Sequence, residues 1–258
     1  MTSTNSTQRS SRSRFAALSV LAVGLTLGLS ACDETLEVYD PDRVTPASLT
    51  SADAIPILVA SAIGEFQVAY SGSGGDAFVS TVGAFTDELM GAGTFPTRTR
   101  MDQRNWYTPQ EGNTSDGIYV NLHQARRAAI LAQQQIDALL DSRAGTGWGE
   151  MRALEAYTYV AFGEAYCGAV PFTEVSPDGA VDETTLSPKS TTVMFDDAIT
   201  RFNEALSDTP SLYMAAVGKG RALMNLGRYS EAASAVASVP TTYVYWIEHG
   251  ETDGRQNN

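Results

Sequence analysis

Cysteine is almost missing from this chain: Cys32 and Cys167 are the two in 258 residues. A disulfide framework is therefore excluded as the source of stability. Basic charge is also short, with 17 Lys and Arg against 30 Asp and Glu and a formal net charge of −13. A surface that acidic repels phosphate backbones, so no nucleic-acid partner is expected. Histidine occurs at two positions, and none falls within four residues of His123, so the spacing of a helical zinc site is missing. Convergent carboxylates are missing too. Asp87-Glu88 and Asp196-Asp197 are adjacent pairs, and neighbouring helical positions diverge by about 100°, whereas glycoside hydrolysis needs two acids facing one bond. Gly72-Ser73-Gly74-Gly75-Asp76-Ala77 follows a helical pattern and not a strand, which fails the condition for a dinucleotide turn. No catalytic residue, metal or cofactor is expected. No long run of alternating β-branched residues occurs, and 170–175 and 241–246 suit short strands at most.

What is present begins with an address. Residues 1–14 are rich in Ser and Thr and carry Arg9, Arg12 and Arg14; residues 15–29 are an apolar run. Spanning a bilayer takes about 20 apolar residues, so the run reads as the core of a signal peptide, 1–31. It ends Leu29-Ser30-Ala31-Cys32, which resembles the lipobox of bacterial lipoproteins. That resemblance implies cleavage before Cys32 and acylation of its sulfur, each buried CH₂ adding ~0.8 kcal/mol of membrane affinity. Loss of the three leader arginines takes the charge from −13 to −16. Residues 32–53, with Asp33, Glu34, Glu37 and Asp40, read as an acidic tether. Acid directly after such a cysteine resembles an inner-membrane retention signal in enterobacterial lipoproteins and a surface-export signal in Bacteroidetes-like ones, and both readings stand.

Residues 54–249 read as all-α, followed by a polar tail, 250–258. Helical periodicity is expected over 54–70, 78–90, 118–140, 148–166, 194–206, 213–226 and 230–239. The strongest stripe is Ile118, Leu122, Ala125, Ala129, Ala132 and Ile136. Loops are expected over 94–117 and 167–191. Trp148, at a helix start, is expected in the core, and Cys167 as a small buried residue at a helix end. Glu150, Glu155 and Glu164 are expected as solvated or paired helix charges, and Arg126-Arg127 as a basic patch too small to matter.

A repeat-like pattern lies at about 192–240. Ala198, Phe202, Ala205 and Pro210 have the spacing of the second helix of a tetratricopeptide repeat, and Ala232 follows Ala198 by 34 residues. Gly220 and Ala232 would let helices approach closely, and Gly227 can take the positive φ of a helix end. Lys219 and an early Pro240 depart from the template.

Three segments in order resemble the SusD/RagB family of nutrient-binding lipoproteins. They are Tyr119-Val120-Asn121-Leu122-His123-Gln124-Ala125-Arg126; Gly149-Glu150-Met151-Arg152-Ala153-Leu154-Glu155-Ala156-Tyr157 with its exit Gly168-Ala169-Val170-Pro171-Phe172; and Ser187-Pro188-Lys189-Ser190-Thr191-Thr192. With the lipobox, the likeness spans roughly 32–240. Glu155 stands where the family has Arg, which bears on an internal ion pair. Members are about twice this length, so the resemblance implies an incomplete C-terminal half, as a fragment, a truncated frame or a reduced member, with apolar helix faces left uncovered. It further implies a non-enzymatic protein in the outer membrane, facing the cell surface. There it would capture glycans or similar nutrients for a TonB-dependent, SusC-like transporter, while acylated Cys32 holds the lipid bilayer.

Within 98–117, Arg100, Asn105, Trp106, Tyr107 and Asn113 suit carbohydrate, since ring faces cover C–H groups and amides reach hydroxyls. Trp106 equally suits a plug that fixes the loop to the helices. Tyr243, Tyr245 and Trp246 are expected to be buried or to make interactions. The competing functional readings are a tetratricopeptide scaffold lipoprotein of outer-membrane assembly and a hydrolase on a helical frame.

Overall fold

The computed structural model describes residues 51–72, 77–105, 108–176 and 180–250; Cys32, the leader, most of the tether and the tail beyond 250 lie outside them. A 3₁₀ turn at Ala52–Ala54 leads into α1 (Ile55–Tyr70), whose second residue, Pro56, has no N–H to leave unsatisfied in the first turn. Leu58, Ala62, Phe66 and Ala69 face the core, whereas Ile57 is exposed. Residues 52–70 are long and apolar enough to cross a membrane, but that buried face is what the stripe serves in this fold.

α2 (Phe78–Phe85) stops five residues short of the expected 90. Asp87 takes φ +64, and the amides of Glu88 and Leu89 both turn back onto the Gly83 carbonyl. The expected loop 94–117 is largely helical. Pro96 opens α3 (Pro96–Asp102), and Thr108-Pro109 opens α4 (Thr108–Leu139). Proline breaks a helix in its interior, but at a first turn it starts one.

α5 (Trp148–Ala165) is the central helix, with Met151, Ala153, Leu154, Ala156, Val160 and Phe162 all 2% exposed or less. It packs on α1, α4, α6 and α7. Trp148 is buried, its indole N–H donating to Asp137 at 3.3 Å. The helix ends where Tyr166 turns extended and Gly168 takes φ +105, which throws Cys167 into solvent. The expectation of a buried cysteine is thereby corrected.

The expected loop 167–191 holds a β-hairpin, whose first strand falls at the 170–175 that suits a short strand and whose second is unexpected. β1 (Val170–Val175) pairs antiparallel with β2 (Val181–Lys189), with Val170 opposite Lys189, Phe172 opposite Ser187 and an irregularity between Phe172 and Glu174. β2 is polar and carries Pro188, so its sequence hides a strand; β1 supplies the apolar face through Val170, Phe172 and Val175. Thr185 Oγ1 accepts the Glu174 amide at 2.8 Å where the ladder is irregular.

Three helices complete the fold: α6 (Thr191–Ala205), α7 (Leu212–Asn225) and α8 (Tyr229–Val236). Ser190 caps α6 by accepting the Val193 amide at 3.3 Å. α7 ends with Gly227 at φ +71, its amide bonded to Met224 O and that of Arg228 to Leu223 O, the two bonds of a Schellman ending. Phe202 is fully buried between Gly218 and Tyr157; a Cβ on Gly218 would lie 2.2 Å from the Phe202 ring. Gly220 lets α8 approach, since a Cβ there would meet Val236 at 2.7 Å. Residues 241–246 form no strand; 241–250 run as an irregular strap that meets α1 through Gln67, α5 through Glu150 and α7 through Tyr213. The described residues are thus mostly helical, as expected, with one hairpin.

Candidate functional site

The residues expected to bind ligand are not gathered by the described structure. Arg100 lies in the last turn of α3, and the Asn105 amide bonds to its carbonyl at 2.9 Å. The Asn105 side chain is exposed. Trp106 and Tyr107 lie outside the described residues, as does the side chain of Asn113, whose backbone belongs to α4.

Two other clefts form on the central helix. The first, of about 310 Å³, lies between α1, α5, α7 and the strap and is walled by Phe66, Tyr70, Tyr157, Tyr243 and Tyr245, with Arg221 at its edge. Helical spacing puts Phe66 and Tyr70 on one face of α1, where their rings stack at 5.4 Å. The Tyr157 hydroxyl donates to Met214 O at 3.0 Å, and burial pushes its pKa up. The Tyr245 hydroxyl donates to Glu150 at 2.8 Å; burial, then the Glu150 charge, raise its pKa too. Arg221 pairs through two nitrogens with Glu164, at 2.8 and 2.5 Å, and donates to the Tyr70 hydroxyl at 3.0 Å. Burial works against that guanidinium, and its partners more than offset the penalty, so its pKa rises. Bonds from Gln67 to Glu248 O and between Ser71 and His249, the latter at 3.0 Å, tie the strap to α1. The cleft thus offers rings and protonated phenols. Trp246, by contrast, points outward and is 77% exposed.

The second cleft, of about 390 Å³, lies between α4, α5, α6 and the hairpin. Its cations are Arg126, Arg152, Lys189 and Arg201; its lining carboxylates are Glu155 and Glu174. Glu155 is buried and accepts from Arg201 Nε at 2.5 Å, Arg152 at 2.7 Å and Gln133 at 3.1 Å. Arg152 also pairs with Glu204, and Lys189 meets Asp197 at 2.7 Å. For Arg201, burial opposes the charge, but Glu155, Tyr159 and Asp197 outweigh it and hold the pKa above its usual value. Tyr159 and Phe172 stack face to face at 4.7 Å beneath these cations. Arg126, read from sequence as part of a surface patch, is instead buried at 5% exposure, with Nη2 donating to Thr173 O at 2.8 Å. Its position four residues after Leu122 and next to Ala125, inside an apolar stripe, was the signal that could have found it. β2, which brings Lys189 and Ser187, gave no comparable signal.

His123, one turn from Arg126, is enclosed by Tyr119, Phe162 and Phe172. Burial, with the Arg126 charge second, lowers its pKa to about 4. Among the described residues no group of three or more His, Cys, Asp or Glu is arranged to hold a metal ion. No family model matches the chain, and no curated protein or solved structure matches it either.

Proposed function

We propose that this chain is a lipid-anchored binding protein of the outer membrane that captures oligosaccharides or similar nutrients, without turning them over, for a TonB-dependent transporter. The observation that carries the reading is the aromatic cleft. Rings from α1, α5 and the strap converge on about 310 Å³, within the range of small-ligand sites. Ring faces and edges suit the C–H surfaces of sugars, while the phenols and Arg221 suit hydroxyls. The SusD/RagB-like segments and the lipobox-like Leu29-Ser30-Ala31-Cys32 agree with it. So does the pairing of α7 and α8 through Gly220, read as a tetratricopeptide-type unit. Calorimetric titration of the full chain with an oligosaccharide panel tests it. Saturable binding with no product, weakened at least tenfold by Tyr245→Ala, is expected; product release would favour an enzyme.

One observation favours the scaffold reading. Val217, Met224, Tyr229 and Val236 are exposed along a groove of about 780 Å³ on α7 and α8. Uncovered apolar faces of this kind suit a protein partner. A stable complex with an outer-membrane assembly protein, together with no binding in the panel, would select that reading.

A further inference from the structure

We propose that the cleft between α4, α5, α6 and the hairpin binds a monocarboxylate sugar acid, with Arg126 as the counter-ion to its carboxylate. This site is separate from the aromatic cleft and uses different residues; that its ligand is a sugar rests on the nutrient-binding reading above.

Arg152 and Arg201 share Glu155, Arg152 also meets Glu204, and Lys189 meets Asp197. Among the described residues Arg126 has no carboxylate within 4 Å, and Glu174, which balances the count, is exposed at the rim of the cleft and pairs with none of its cations; the Arg126 bond is to the neutral Thr173 carbonyl, and its Nε is buried without a partner. A buried guanidinium lacking an anion is unfavourable, and a bound carboxylate would supply what is missing. The ring of Phe172 lies near two cations, Arg126 at 5.3 Å and Lys189 at 5.8 Å, which accounts for part of that deficit and no more.

The ligand's charge and length follow from the same wall. One unpaired cation beside the carboxylates of Glu155 and Glu174 favours a single negative charge over a phosphate dianion. Two turns along α4, Gln134 donates to Val175 O at 2.7 Å while its Oε1 is buried without a donor. A residue eight positions on stands about 12 Å away along a helix. A donor at one end and an acceptor at the other suit a molecule with a carboxylate at one end and a hydroxyl at the other, about two sugar rings long. A cleft of about 390 Å³ accommodates that size. Ring stacking contributes little, since Tyr159 and Phe172 cover each other.

The test is titration of the full chain with a uronic-acid disaccharide, its neutral counterpart and inorganic phosphate. The uronate is expected to bind at least tenfold more tightly than either of the others and to weaken as salt is raised. Arg126→Gln, checked for folding by circular dichroism, is expected to weaken uronate binding at least tenfold. Should that variant not fold, Lys189→Gln is expected to lose about threefold. Equal affinity for the neutral disaccharide in the Tyr245→Ala chain, where the aromatic cleft is impaired, tighter binding of phosphate, or uronate binding indifferent to the Arg126 and Lys189 substitutions would overturn the assignment. Uronate binding alongside failure of every neutral oligosaccharide would uphold it while removing the aromatic-cleft reading.

Discussion

Glu155 Oε1 lies 2.5 Å from Arg201 Nε across the contact of α5 with α6, and the carboxylate is 1% exposed. Removing it leaves Arg201 and Arg152 facing each other without their shared anion. Glu155→Ala is expected to cost about 3 kcal/mol, since breaking a buried pair strands the remaining charge. Glu155→Gln, which keeps shape and hydrogen bonding, should cost less. Urea denaturation with both variants checks this; a loss below about 0.5 kcal/mol for Glu155→Ala, the scale of surface changes, would show that the pair adds nothing.

Gly218 is a test of packing at the α6–α7 contact. Its missing Cβ would sit 2.2 Å from Phe202 and 2.8 Å from Tyr157. Gly218→Ala is therefore expected to destabilise by about 1–3 kcal/mol despite alanine's better helix propensity. Gly93 has nothing within 4 Å of its ideal Cβ, so Gly93→Ala should change stability by less than about 0.5 kcal/mol. Thermal melts of the two variants give the comparison.

His123 gives stability a pH dependence of known sign. An unfolded histidine titrates near pH 6.5, and the folded ring titrates at about 4. Between those values the unfolded chain holds more protons, so the contribution is complete above 6.5 and falls as pH drops towards 4. The full span is worth about 3 kcal/mol. His123→Phe keeps the ring contacts with Tyr119, Phe162 and Phe172 and should flatten the profile over that window. Chemical denaturation at pH 7 and pH 4.5 reads the difference between the two proteins.

Much of the helical frame was legible because one face of each long helix is apolar. The stripe Ile118, Leu122, Ala125, Ala129, Ala132 and Ile136 is buried throughout, and Trp148 sits in the core as its place at a helix start suggested. Gly227 takes the positive φ its position called for. What escaped reading depended on tertiary context. β2 is polar and acquires its strand character from β1 alone. Pro96 and Pro109 open helices that a breaker reading dismisses. Arg126 is a charge inside the protein, a placement that pattern counts as surface until its neighbours are known, whereas Glu155 is paired, one of the two states expected of it. The clefts join α1 to the strap, and α4 to the hairpin, across separations that no local motif spans.

Cells expressing the full chain and grown on labelled palmitate test the central claim, a binding protein held to lipid, most directly. Label on the natural chain and its retention in the membrane fraction, both lost in Cys32→Ala, are the expected result. A natural chain that carries no label and stays with the soluble fraction would contradict the account.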